Sequence, residues 1–386
     1  MKRLFIALVF ISSSLVQAQK PEKIYGLTIQ PRDDKFYTEQ ATLWKKETDK
    51  KPKNASAWEN YYWAMRYANH DYNEGSDKQK NMQLIVQAME KNVPGTIQYY
   101  RCKLSLDGWP NTDTASSAII SKVMALDPND REVITDYIVY CELAGKTAKL
   151  NEVAKHLYNT DTYAHGIIEL GYNILMSADK NAIVFTWGDN DSFPEWMLQE
   201  AKGIRTDVSV INVPLCLGHP YYLKRMLAQK GIILSEDFWN KEQSIQSTTE
   251  LIKMLVLEIS KVNPSVPLFM ATTRSLEEVF PDSLYCTGLT YFFSPKRIDN
   301  IAKLKNNIEN HFHLDYLNGS YADNGPSAEL IENCNELYVT PFALLYKHYR
   351  SMNENNDRTE FYKDFVMKYA VKIGKEQEMK EYLERK

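Results

Sequence analysis

The residues best suited to chemistry lie in "IVFTWGDNDSFPEW", residues 183–196. An apolar run stops at Asp189-Asn190-Asp191, and an amphipathic segment follows. Two carboxylates one residue apart at a strand end can hold Mg2+ or Mn2+ beside a phosphate or sugar. Open α/β sheets bind ligands outside the carboxyl ends of their strands. The same residues also read as a helix start. Ser192-Phe193-Pro194-Glu195 fits the Ser-x-x-Glu capping box, with proline in the first turn. Asp191 then faces the positive helix end, and Asp189 and Asn190 close the turn. The structural reading is preferred: Asp191 orders the helix, and Asp189, directly after Gly188, is the carboxylate open to a ligand. His219, after Gly218, is placed either as a general acid or base near the same crevice or as an ordinary helix start beside Pro220. The candidate ligand-binding residues are therefore Asp189, Asn190, Asp191 and His219. The candidate metal ligands are Asp189 and Asp191.

Other polar clusters are weaker. "GIRTDV" puts Arg205 and Asp207 at the amino end of a strand, the wrong end for Arg205 to reach a carboxylate of the first loop, and Arg205 reads as part of a structural ion pair, with Gly203 as a helix C-cap. His311, His313 and Asp315 in "HFHLD" would share one face if extended. A further carboxylate would make that a zinc site. An amphipathic loop or helix end with solvated imidazoles is the preferred reading. No P-loop, Gly-x-Gly-x-x-Gly, Gly-x-Ser-x-Gly or His-Glu-x-x-His motif occurs.

The elements that must position these residues alternate. "NAIVFTWG" and "TDVSVINVPL" read as strands, and "SFPEWMLQEAKG" between them reads as a helix. Runs apolar on both faces, joined by a helix, predict parallel strands covered on both sides. "PYYLKRMLAQKG" and "TTELIKMLVLEISKVN" read as helices, then "VPLFMATT" and "GLTYFF" as strands. The order is β-α-β-α-α-β-β, a Rossmann-like, mostly parallel α/β domain over residues 161–326. Residues 327–386 return to helix.

Before residue 160 the periodicity is helical. Trp58, Tyr61, Tyr62, Met65 and Ala68, then Met82, Ile85, Val86 and Met89, recur at helical spacing. Pro94 and Pro128 stand one tetratricopeptide period, about 34 residues, apart. Pro52 takes the same role, with "HDYNEGSD" inserted. Proline stops one helix and Asp or Asn caps the next. Residues 51–160 are thus expected as a tetratricopeptide-like α-solenoid whose concave face takes a protein or peptide segment, preceded by a polar leader over 19–50. The rival is a generic helical bundle.

Met-Lys-Arg, a short apolar core and a small-residue site at Ala18 predict a signal peptide over 1–18 and a periplasmic or secreted protein. No later run predicts a membrane span. The net charge of −4 argues against nucleic acid or an anionic surface as partner. The five cysteines form no Cys-x-x-Cys pair and read as buried apolar residues, with their pairing left open.

Residues 173–215, "NILMSADKNAIVFTWGDNDSFPEWMLQEAKGIRTDVSVINVPL", resemble the soluble C-terminal region of a family of multi-pass bacterial membrane proteins. Those proteins are protein O-mannosyltransferase-like glycosyltransferases. "VPLFMATT…GLTYFFSP" resembles a later block more loosely, and together with the final helices the resemblance covers roughly half the chain. Trp187 stands where the family has Asn, and Glu195 where it has an apolar residue. The transmembrane helices that would bind a lipid-linked sugar donor have no counterpart. The resemblance implies the fold and compartment of the soluble domain, without transferase activity. The expected function is an exported binding or scaffold protein of the cell envelope. The alternative is a glycan- or phosphate-ester-processing enzyme, or a sugar-binding pseudo-enzyme, with a divalent metal as its cofactor.

Overall fold

The computed structural model describes residues 20–27, 29–68, 76–106, 114–160, 163–318, 325–353 and 356–385. The expected signal peptide and most of the inserted "HDYNEGSD" lie outside the described residues. The chain divides into two compact units, one of residues 1–24 and 32–102, the other of residues 25–31 and 103–386.

The first unit is helical: α1 (Asp34–Lys50), α2 (Ala55–Tyr67), α3 (Asp77–Asn92) and the start of α4 (Ile97–Leu106). The segment read from sequence as part of a polar leader is thus helix α1. Asp33 caps it by accepting the Phe36 amide at 2.8 Å, and Tyr37, Gln40, Ala41 and Thr48 make its buried side. Residues 22–24 are pinned to the helices: Glu22 N–H donates to Gln40 Oε1 and Ile24 N–H to Asn60 Oδ1, both at 2.7 Å. Helix α2 packs on both α1 and α3.

The second unit opens with α5 (Thr114–Leu126), α6 (Arg131–Leu143), α7 (Thr147–Asn159) and α8 (His165–Ser177). Pro52, Pro94 and Pro128 all fall in turns between helices, with two helices between successive prolines. Proline cannot donate the amide that would carry the preceding helix onward.

A mixed α/β region follows: β1 (Ile183–Thr186), α9 (Phe193–Lys202), β2 (Ser209–Asn212), α10 (Val213–Cys216), α11 (Pro220–Ala228), α12 (Glu236–Glu242), α13 (Thr248–Val262), β3 (Leu268–Ala271), β4 (Leu284–Cys286) and β5 (Thr290–Phe293). Helices α14 (Ile301–Asn310), α15 (Ala328–Asn335), α16 (Val339–Ser351), α17 (Asp357–Lys372) and α18 (Glu376–Glu384) complete it. The five strands form one sheet in the order β2-β1-β3-β5-β4.

Strands β2, β1 and β3 are parallel, with Phe185 opposite Ile211 on one side and Met270 on the other. Every residue of these three strands is buried, as parallel strands covered on both faces require. Strand β5 runs antiparallel to β3 and to β4. The sheet is therefore mixed: "GLTYFF" is antiparallel, and β4 had not been foreseen. The reason is local, since only Thr287–Leu289 join β4 to β5, too short a link for a parallel crossover. Gly203 ends α9 in the left-handed region at φ 68°, as its C-cap role requires.

No helix among the described residues is long and apolar enough to cross a membrane. No disulfide joins the cysteines among the described residues. Cys102, Cys141, Cys216 and Cys286 are buried, and Cys334 is partly so.

Candidate functional site

Strand β1 has β2 on one side and β3 on the other, so the winding of the sheet reverses between β1 and β3. A crevice at the carboxyl ends of such strands is where open α/β sheets bind ligands. The turn after β1 meets the loop after β3 there.

Asp191 closes this meeting point. Its carboxylate accepts the Trp187 amide through both oxygens at 3.1 Å and the Gly188 amide at 2.7 Å. It also accepts the Thr273 hydroxyl from the loop after β3. Only 3% of Asp191 is exposed. It thus ties its own 3-10 turn (Asp189–Asp191) backward and bridges two strand ends. The expected role in ordering α9 is corrected accordingly, because the amides it holds precede it.

The predicted capping box does not form. The Ser192 hydroxyl contacts Thr186 Oγ1 at 2.6 Å and accepts Asn212 Nδ2 at 2.9 Å, and it caps no amide of α9. Asn212, at the end of β2, also caps α10 by accepting the Leu215 amide at 3.1 Å. Ser192 is drawn sideways into a buried Thr186-Ser192-Asn212 chain that links β1 to β2.

Glu195, the other half of that box, is fully buried, and neither carboxylate oxygen has a hydrogen-bond partner. It packs against Gly171 of α8. A Cβ at Gly171 would stand 2.7 Å from Pro194 Cβ and 3.3 Å from the Glu195 carboxyl carbon. Burial, and then the Asp191 charge, pushes the Glu195 carboxyl well above the usual carboxylate range.

Asp189 makes no hydrogen bond or ion pair through its carboxylate among the described residues. Burial first, then the Asp191 charge, pushes it up to about 6, although its side chain keeps some solvent contact. Asp191 is likewise pushed up to about 6 by burial, against the opposing pull of its hydrogen bonds. Tyr163 belongs to the same neighbourhood. Its ring meets Phe193 edge-on at 6.5 Å, and its hydroxyl is held up by burial and then by the charges of Asp189, Asp136 and Glu195. On the other flank the Arg274 guanidinium lies 5.2 Å from the Trp187 ring centre and donates to Thr248 and Thr249 at the start of α13. Asp189, Asp191 and Glu195 thus have no paired cation among the described residues, which favours proton retention or a cationic ligand.

The structure joins Asp189, Asn190 and Asp191 in one turn but does not join His219 to them. His219 Nδ1 lies 3.1 Å from the Leu215 carbonyl and 3.2 Å from that of Leu217, within its own loop. Nor do His311, His313 and Asp315 form a cluster. His313 Nδ1 sits 2.6 Å from Glu169, and its ring stacks on Tyr172 at 3.9 Å. Among the described residues no group of three or more His, Cys, Asp or Glu is arranged to hold a metal ion.

Arg205 does what was expected and more. It pairs with Asp207 at 3.0 and 3.1 Å and donates to the carbonyls of Leu175, Ala178 and Asp179, closing the end of α8. Sequence reasoning missed Thr273 and the burial of Glu195. Two signals for the latter were there: the resembling family has an apolar residue at this place, and the helix turn is otherwise filled by Phe193, Pro194, Trp196, Met197 and Leu198, all of them buried.

Residues 167–254 match the family model TMEM260-associated domain 2. The matched segment runs from α8 into α13, so it holds Asp189, Asp191, Glu195, Asn212 and His219 but not Thr273. It contains the longer stretch of the sequence resemblance. No curated protein and no solved structure matches the chain.

Proposed function

We propose that the chain is an exported binding or scaffold protein of the cell envelope, periplasmic or secreted. In this reading tetratricopeptide-like helical repeats hold a protein or peptide segment, and a Rossmann-like domain accompanies them. The observation that carries the proposal is the regular placement of Pro52, Pro94 and Pro128 in helix-ending turns with two helices per interval. A helical pair cannot bury both faces alone, so paired helices stack and leave an extended face for partners. The state of Asp191 agrees with this reading, since its oxygens are engaged in holding the strand ends together. Crosslinking of the tagged protein in intact cells, followed by capture from envelope fractions, tests it. A discrete partner is expected, and recovery of the tagged protein alone would remove the scaffold role.

A second reading has its own support. Asp189 and Glu195 are acids without partners beside a sheet reversal. They suit a glycan- or phosphate-ester-processing enzyme or a sugar-binding pseudo-enzyme. Asp189 and Asp191 would hold a divalent metal, which would supply charge to polarise a phosphate or sugar oxygen. The donors are hard carboxylate oxygens, which suit such an ion. Asp191 would share oxygens already bonded to Trp187, Gly188 and Thr273, so Asp189 is the freer donor. Melting with and without Mg2+, Mn2+ or Ca2+ decides this reading. A rise in the midpoint that Asp189→Ala abolishes would put it first.

A further inference from the structure

We infer that the groove bordered by α1 and α3 in the N-terminal unit is a docking site for an acidic polypeptide segment bearing a bulky apolar side chain. This names the partner for the binding role proposed above and rests on it. The groove encloses about 590 Å³, within the range of clefts that take a specific ligand, about 300–1,000 Å³. It exists because α1 presents small side chains there. Thr38, Ala41 and Thr42 fall on one helical face, where larger residues would fill the space above α2. Helix α2 supplies Tyr61 and Met65, whose partly buried apolar surfaces extend the core of this unit into the groove. An apolar side chain placed there removes its own surface and theirs from water.

The charges around that apolar surface have one sign. Among the described residues Lys45, Lys46 and Lys78 line the groove, and no acidic side chain does. Lys45 pairs with Asp49 one turn on, at 2.6 Å, while Lys46 makes no ion pair among the described residues. An apolar anchor flanked by carboxylates matches both features, and the lysines would discriminate against basic or neutral segments. A second copy of the chain and an anionic lipid surface are the competing occupants.

The test uses the whole protein and labelled peptides of about 15 residues with leucines spaced for one helical face. One peptide carries Glu and Asp between the leucines, and the other carries Lys and Arg. Fluorescence anisotropy is expected to show saturable binding of the acidic peptide only, weakened by salt and about tenfold weaker for the Lys45→Glu/Lys46→Glu double variant. Thr42→Trp, which fills the groove without changing charge, should abolish it. Circular dichroism and melting of these surface variants should match the wild type. Equal binding of both peptides, or acidic-peptide binding unchanged in all variants, overturns the proposal. So does binding to anionic vesicles in place of peptide, or a dimer in sedimentation that the variants abolish while no peptide binds. A partner captured equally by wild type and Lys45→Glu/Lys46→Glu would refute the groove and leave the wider binding role intact.

Discussion

The two ends of the parallel strands in the second unit treat their acids in opposite ways. At the amino end of β2, Asp207 is paired with Arg205 and accepts the Asn181 amide at 2.9 Å, and its carboxyl is held down at about 2, chiefly by the Arg205 hydrogen bond. Nearby, Asp179 pairs with Lys303. At the carboxyl end Asp189, Asp191 and Glu195 have no cation, and burial pushes all three up. One end is a closed ionic lock, and the other is left short of positive charge. Perturbed acids that stability does not require cluster where ligands bind. Within this sheet the difference agrees with a ligand role, if there is one, at the carboxyl end and with a structural role at the amino end.

The largest effect should come from breaking the lock. Arg205→Ala strips Asp207 of its cation and three carbonyls of α8 and the following turn of their donor, and should cost about 2–4 kcal/mol in urea unfolding. A loss near zero would mean that the amino end is not a lock. Asp191→Ala comes next. It frees two amides and the Thr273 hydroxyl, so a loss of about 1–3 kcal/mol is expected at pH 5. Asp189→Ala, with no bonds to lose, should stay within about 0.5 kcal/mol or stabilise. If the two aspartates behave alike, the division of labour between them is wrong.

The pH profile sharpens the contrast. Asp189 and Asp191 keep protons in the folded chain that the unfolded chain has released, because their folded values exceed the ordinary 3.8. Their contribution is full below that value and is lost as the pH rises through about 6. Asp207 is the reverse: its contribution is full above 3.8 and is lost as the pH falls through about 2. Glu195 acts in the same sense, its contribution being lost as the pH rises, since its folded value is also raised. Glu195→Gln should therefore gain about 1–2 kcal/mol at pH 8 and flatten the alkaline side of the profile. A variant that is less stable at pH 8 would mean the buried carboxylate has a cationic partner in solution. The smallest effect belongs to His219→Ala, expected to change stability by less than about 0.5 kcal/mol. A larger loss, or loss of a ligand-induced shift, would draw His219 into the site.

Much of this was legible residue by residue. The β1-α9-β2 unit followed from two doubly apolar runs around a helix with a glycine stop, and Arg205 read as part of a structural ion pair, for which the structure supplies Asp207. The Ser192 cap failed because Thr186 and Asn212, six and twenty residues away, compete for the same hydroxyl. Helix α1 was hidden by its composition. It buries one narrow side, Tyr37, Gln40, Ala41 and Thr48, and is rich in polar and charged residues elsewhere. Strand β5 was read as a strand but not as antiparallel, because its direction follows from the short turn after β4, a strand the sequence did not reveal.

The sequence by itself determined what lies within a few residues: helix stops at Pro52, Pro94 and Pro128, the periodicity of the buried faces, and an acid-rich turn after β1. Those follow from backbone sterics and from side chains seeking burial at a fixed period. Only the tertiary structure decided which acids are satisfied. Asp191 found Thr273 across eighty-two residues, and Arg205 found the end of α8 nearly thirty residues back. Glu195 was folded against Gly171 with nothing to bond. Whether a buried charge is stabilised depends on which partners and how much solvent reach it, and chain folding sets both.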